Sequence, residues 1–318
     1  MLRSVFRFGL RNMSSSAATV SAPKTSSIVE GKARIACSEN EQVFYNNVQI
    51  LNRDLSIQVI NLFAETRQAE REKVYAQKLA KFNALLVADG PPPKELKPPR
   101  KPMDGITVLD ALAATGLRSV RYLKEIRGVR QLSVNDIDPT ASEAIYNNML
   151  SNGIREGEIR MERSGVVAAA SEGVAEPRVR VHTGDGAVLM YQNRDPITQF
   201  DVIDLDPYGS CAPFLDAAVQ SVANGGLMCV TCTDMSVFCG NYPEKCFALY
   251  GAIPLKAKFT HVSPEAPHQF CSLLPSSCFV LSVLSVLWLV VCRSKHCGYC
   301  CTTSRQLLPS IRDILSLG

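Results

Sequence analysis

The sequence lacks several features that would settle its class at once. It carries little excess charge, +4 over 318 residues, which permits a polyanionic partner without demanding one. It has no secretory signal, so its 12 cysteines read as free thiols in a reducing compartment and not as a disulfide framework. Its longest apolar stretch, residues 278–292, is short for a membrane-spanning helix and lacks the flanking pattern of one, so no membrane anchor is expected. No acidic residue precedes Glu30. What the chain does have, 46% hydrophobic residues, is enough to bury one substantial core and excludes wholesale disorder.

The acid-free beginning has a pattern of its own. Arg3, Arg7 and Arg11 recur at intervals of four, with Leu2, Val5, Phe6 and Leu10 available for the opposite helical face and serines following. A basic amphipathic segment of this kind suits a mitochondrial presequence; a disordered basic tail is the alternative. Residues 1–30 are assigned to it. Met13 could start a second form lacking most of it, which gives an expected dual address, mitochondrial and nuclear or cytosolic.

Residues 31–102 read as an N-terminal helical segment followed by a proline-rich connection. Apolar and charged residues alternate at helical spacing between positions 52 and 86, with Asn52 or Asp54 as possible caps. Residues 89–102, DGPPPKELKPPRKP, hold too many prolines for a regular element. From Ile106 on, β-rich runs alternate with helical patterns: ITVLDAL, a helix over 117–126, LSVNDID, a helix over 140–151, then RVRVHTGD, FDVIDLDP, a helix over 211–222 and GGLMCVTCTD. An Ala/Gly/Ser/Glu-rich insertion covers 156–177. Such alternation specifies an α/β fold, a Rossmann-like, mostly parallel sheet with helices on both faces, over residues 103–260. Ligands of such sheets bind at the carboxyl ends of the strands. Residues 261–318 form a Cys-rich apolar tail of different composition, with six cysteines (Cys271, Cys278, Cys292, Cys297, Cys300 and Cys301). The pairs Cys229/Cys232 and Cys297/Cys300 have CxxC spacing, but one lies in an expected core strand, so no structural zinc site is expected.

Two strand ends suggest a nucleoside. After the first strand the chain reads Asp110-Ala-Leu-Ala-Ala-Thr-Gly-Leu-Arg118, where small residues let the backbone pass close to a ligand and Gly116 opens a helix. Asp136 ends the next strand, where a carboxylate can accept from both ribose hydroxyls. Asp185, in HTGDGA, can reach an adenine amine or simply cap a helix. A pyrophosphate-binding glycine loop is missing, which favours S-adenosylmethionine over a dinucleotide.

The run Asp201-Val-Ile-Asp204-Leu-Asp206-Pro207-Tyr208-Gly-Ser is the most specific signal. An acid, a proline and an aromatic suit methylation of an aryl amine, whose delocalised lone pair makes it a poor nucleophile. Asp206 and the carbonyl of Pro207 can hydrogen-bond the amine, and Tyr208 offers a stacking face. Proline fixes the acceptors in place. Asp204 shares a face with Asp206 and could support it; Asp201 reads as a strand-start or edge residue.

Five ordered blocks, NRDLS, LDALAATGLRSVRYLKE, VNDIDPTASEAIYNN, FDVIDLDPYGS and GGLMCVTCTDMSVFCGNYPEKCFALYG, together resemble the tRNA guanine-N2 dimethyltransferase family, which modifies guanine 26 of tRNA. The similarity covers residues 41–258. It implies that Arg53, Arg118, Asp136 and Asp185 contact S-adenosylmethionine, the two arginines holding its carboxylate, that Asp206 is the catalytic acid, and that tRNA is the partner. DNA is not the expected substrate. After about Thr260 the chain departs from the family's C-terminal domain, from which weak or absent turnover is expected. An amino-methyltransferase acting on adenine in DNA or on a protein amide, and a non-catalytic tRNA-binding isoform, stay open as alternatives.

Overall fold

A computed structural model describes residues 25–38, 45–87, 97–163, 176–238, 240–251, 253, 278–283 and 286–291. The basic segment 1–24 and the cysteine pair Cys297/Cys300 lie outside them.

A hairpin of β1 (Thr25–Glu30) and β2 (Ala33–Ser38) comes first. Its turn requires glycine: Gly31 sits at φ +54°, and a Cβ there would meet Glu125 at 2.4 Å and the Arg121 guanidinium at 2.8 Å. This hairpin begins inside the segment read as a presequence and precedes the helices expected between positions 52 and 86. A short 3-10 turn, capped by the Asn46 side chain on the Val48 N–H, then leads into α1 (Ile50–Val87), one continuous 38-residue helix. Its first half packs on the core through Ile57, Ile60 and Phe63.

The main sheet comprises β3 (Ile106–Asp110), β4 (Val129–Asp136), β5 (Ile159–Arg163), β6 (Val179–Thr183), β7 (Phe200–Leu205) and β8 (Val222–Val230). All neighbours are parallel in the order β5-β6-β4-β3-β7-β8. The helices between them are α2 (Leu117–Glu125), α3 (Pro139–Ser151), α4 (Gly186–Gln192) and α5 (Ala212–Ser221), with α6 (Met235–Phe238) and α7 (Pro243–Tyr250) after β8. β5 rises from within the insertion that the sequence reading left without structure.

Period-two alternation splits the core into two layers. Val108, Val202, Leu227 and Cys229 face α1, α2, α3 and the hairpin. Leu109, Ile203, Leu205, Met228 and Val230 face α4, α5 and α7. The parity matters for the site, because Asp110 and Asp204 fall on the α2 side. Chain order runs outward from β3 through β4 to the edge strand β5, steps back to β6 between them, then crosses to β7, so the topological switch lies between β3 and β7, where such folds open a crevice at the carboxyl ends.

The apolar run 278–292 forms two antiparallel strands, β9 (Cys278–Val283) and β10 (Val286–Val291). Among the described residues no helix is long and apolar enough to cross a membrane.

Candidate active site

At the carboxyl ends of the strands lies a cavity of about 500 Å³, lined by the loop after β3, the end of β4, the turn after β7 and the segment that leads into α1. That volume falls in the usual range for small-molecule sites. The loop after β3 passes close to it, with Ala114 at φ 49° and the Ala113 N–H on the carbonyl of Asn135. Gly116 then starts α2 at φ 75°, where a Cβ would press on Ile145 at 3.2 Å. Gly116 does not line the cavity; it lets Thr115 and Leu117 on either side do so.

Asp136 stands at the tip of β4 and lines the cavity. Its Oδ2 accepts the Ala114 N–H at 2.8 Å and its Oδ1 the Asp138 N–H at 2.9 Å, so the carboxylate is held while each oxygen keeps capacity for a further donor. Asp185 does something else. It caps α4, accepting from the Ala187 N–H at 2.7 Å, is exposed, and does not line the cavity.

Asp206, Pro207 and Tyr208 follow β7 directly and all line the cavity. Pro207 is buried and Tyr208, which also lines the cavity, is 74% exposed. Burial pushes the Tyr208 phenol up, and Asp206 and Asp136 add to the shift. Arg118, from the first turn of α2, donates from both Nε (3.0 Å) and Nη2 (2.7 Å) to the same oxygen of Asp206, Oδ2. Oδ1 is left for a ligand.

Behind this pair the site is crowded with acid. Arg118 Nη1 donates to Ser56 Oγ at 3.1 Å and lies 3.5 Å from Asp204 Oδ2, which also accepts from the Tyr122 hydroxyl. Asp110 pairs in register with Asp204 on the neighbouring strand and takes the Ser119 hydroxyl at 2.6 Å. Burial, then repulsion by Asp204, pushes the Asp110 carboxyl up to about 7. Burial raises Asp204 as well, against the pull of Arg118, and raises the Tyr122 phenol well above its ordinary value.

Arg53 also lines the cavity, but its partner is a protein carboxylate: Nε and Nη2 donate to the two oxygens of Glu30 at 2.7 and 2.6 Å, and Tyr45 lies 5.3 Å from the guanidinium. Nη1 makes no hydrogen bond among the described residues. Both arginines expected at a cofactor carboxylate are thus already engaged with acids of the chain. Asp201 is a strand-start residue, as expected: it is buried and binds Arg71 at 2.6 Å and the Thr107 N–H at 3.0 Å. Among the described residues no cluster of three or more His, Cys, Asp or Glu could hold a metal.

Sequence reasoning missed Glu30, Tyr45 and Ser56, which shape the site from the hairpin and α1. The caps expected at Asn52 or Asp54 lie inside α1, and the capping side chain is that of Asn46.

The chain matches the family model of the N2,N2-dimethylguanosine tRNA methyltransferases over residues 23–264. It is 38% identical over 254 residues to the mitochondrial tRNA (guanine(26)-N(2))-dimethyltransferase of Saccharomyces cerevisiae, covering 76% of this chain and 40% of that protein. The Schizosaccharomyces pombe enzyme is 39% identical over 254 residues (74% and 42%), and the human one 36% over 253 (74% and 35%). The chain therefore spans about two fifths of the length of these relatives. Among solved structures, Trm1 from Pyrococcus horikoshii in complex with S-adenosyl-L-methionine has the same fold, with a TM-score of 0.57 and 24% identity over 84% of this chain and 61% of that one.

Proposed function

The chain belongs to the N2,N2-dimethylguanosine tRNA methyltransferase family, and from that membership we propose that it methylates the N2 amine of guanine 26 in tRNA, using S-adenosylmethionine. The observation that carries the reading is Asp206: a carboxylate at the cavity, oriented by Arg118 through one oxygen and open at the other, between a buried proline and an exposed tyrosine.

The residues present fit the cofactor. Asp136 is a held acceptor for ribose hydroxyls, Leu112, Ala113 and Ile137 supply apolar lining, and Arg53 keeps Nη1 for a carboxylate. When bound, S-adenosylmethionine supplies a methyl group on an electrophilic sulfonium. The chain's own part is to prepare the amine. Asp206 Oδ1 accepts one amine N–H and the carbonyl of Pro207 the other, which turns the lone pair out of conjugation with the ring; Tyr208 stacks on the guanine. As the nitrogen took the methyl group, the carbon–sulfur bond would break to leave a neutral thioether, and the proton shed by the cationic nitrogen would pass to Asp206. Asp185, which caps α4 at the edge of this region, remains our assignment for the adenine amine.

Mitochondrial delivery by the first 30 residues, with a second nuclear or cytosolic form from Met13, belongs to the same reading. It is supported by the basic acid-free pattern and by a yeast relative named mitochondrial. A reporter fused to residues 1–30 should enter mitochondria.

The deciding experiment measures labelling of unmodified tRNA from radiolabelled S-adenosylmethionine. Asp206→Ala and Asp206→Asn should stay folded, keep cofactor affinity and lose transfer by about 10²–10⁴-fold. Near-normal transfer by Asp206→Ala would move the chemistry elsewhere, and loss of cofactor binding would mean that Asp206 serves the other ligand.

A further inference from the structure

The reading of Asp206 as the amine's acceptor leaves open what sets its angle. Its carboxylate sits on a turn, partly exposed, and among the described residues Arg118 is its one anchor. Two donors converge on Oδ2, so the direction of the guanidinium decides where Oδ1 points. A guanidinium is planar and rigid, and fixing its Nη1 end fixes the edge that carries Nε and Nη2. That end is held by Ser56 Oγ and lies against Asp204, which is itself pinned by the Tyr122 hydroxyl.

We propose that Asp204 and Tyr122 are positioning residues for Asp206, acting through Arg118; the proposal rests on the assignment of Asp206 given above. Two features argue against a purely architectural role for them. Two carboxylates, Asp204 and Asp206, share a single guanidinium, and a third, Asp110, stands beside Asp204 in register, a costly arrangement in a buried place where apolar residues would pack at least as well. Among the described residues Asp204 Oδ1 is also buried with no hydrogen-bond partner, an atom left unsatisfied while this carboxylate stands beside Arg118. The neighbouring carboxyl in the parallel register is Asp110. Neutralising Asp204 leaves Arg118 drawn to Asp206 alone. The ion pair persists, but with Ser56 Oγ alone holding its far end it swings more readily toward the mouth of the cavity.

The test uses the whole chain with Asp204→Asn, Tyr122→Phe and the double variant. Single-turnover methylation of tRNA should fall by about 10-fold to 100-fold in Asp204→Asn, the scale of a small misplacement of a reacting group, and less in Tyr122→Phe. Cofactor affinity by calorimetry should stay within about threefold of wild type. The double variant should be no slower than Asp204→Asn, because both changes act through one carboxylate; two independent packing defects would multiply. A second readout needs no turnover: the Arg118 Nε–H resonance, identified by its loss in Arg118→Lys, should be protected from exchange in wild type and exchange rapidly in Asp204→Asn. Unchanged rates, a parallel loss of cofactor affinity, multiplicative effects or an equally protected Nε–H would each overturn the proposal. A wild-type chain that methylates no tRNA would overturn the proposed function instead, and the resonance would still decide the role of Asp204.

Discussion

Arg118 and Arg121 stand three residues apart on α2, both buried, yet the clusters around them are built in opposite senses. Around Arg121 the one buried acid, Glu30, is shared between two guanidiniums, and the other two acids, Asp54 and Glu125, are partly exposed. Glu30 takes Arg53 on both oxygens, Arg121 Nη1 at 2.7 Å and the Tyr45 hydroxyl at 3.0 Å, while Arg121 also holds Asp54 and Glu125. Around Arg118 the cation is outnumbered, one acid oxygen has no partner, and one acid opens to the cavity. The titration shifts follow the same division. Burial pushes Glu30 up, but Arg53 and Arg121 more than reverse it, so its carboxyl ends below its ordinary value; Asp110 ends well above. A fully satisfied cluster fastens the hairpin to the core, whereas an over-acidic one keeps a carboxylate in tension beside the cavity. Perturbed acids of the second kind mark chemistry.

The sharpest way to break the contrast is to remove Glu30. Glu30→Ala leaves two buried guanidiniums without their shared acid and should cost about 3–5 kcal/mol in urea unfolding. A loss below about 1 kcal/mol would make the hairpin an ornament and the two clusters equivalent. The pH sign is fixed by the direction of the shift: with a lowered folded pKa, the stability Glu30 lends is present above its ordinary value of 4.5 and fades as the pH falls through the lowered one.

A smaller effect separates the clusters from the cofactor side. Asp136 belongs to neither, and its oxygens are held only by backbone N–H groups. Asp136→Ala should weaken S-adenosylmethionine binding by about 1.5–3 kcal/mol, read by calorimetry, with Arg118 and Asp206 undisturbed. Unchanged affinity would remove Asp136 from the cofactor site.

Much of this was legible in the sequence, and what was not has a common cause. The strands of the main sheet other than β5 announced themselves because they are largely buried and read as short β-rich runs, and the run from Asp201 to Tyr208 carried its own chemistry. The hairpin did not, because TSSIVEGKARIACS abuts a basic serine-rich segment, and Glu30 registered only as the end of an acid-free stretch. β5 is five residues next to a low-complexity insertion. Arg53 and Arg118 were found as residues but not as partners, since a guanidinium's destination depends on which acids the fold brings near it. The neighbourhood of Asp110 and Asp204 is a fact of strand register between β3 and β7, which no local pattern contains.

That register supports the smallest and most discriminating change, Asp110→Asn. If Asp110 holds a proton at neutral pH, asparagine imitates the protonated form: its oxygen can accept from Ser119 Oγ. Below the raised pKa the substitution should therefore be nearly neutral, within about 0.5–1 kcal/mol. The groups that face Asp110 are Asp204 and Asp206, which repel its charge, and Arg118 and Ser119, which favour it, with burial the largest influence. Because the folded pKa is raised from 3.8 to about 7, the folded protein keeps a proton across that window that the unfolded chain has released. Wild-type stability should thus fall as the pH climbs from about 4 to about 7 and level off beyond, opposite in sign to the contribution of Glu30. Asparagine cannot ionise, so the variant should lack this decline and overtake wild type above pH 7. Urea unfolding at pH 6 and pH 8.5 tests both halves. A variant equally destabilised at the two values would show that Asp110 is charged in the fold.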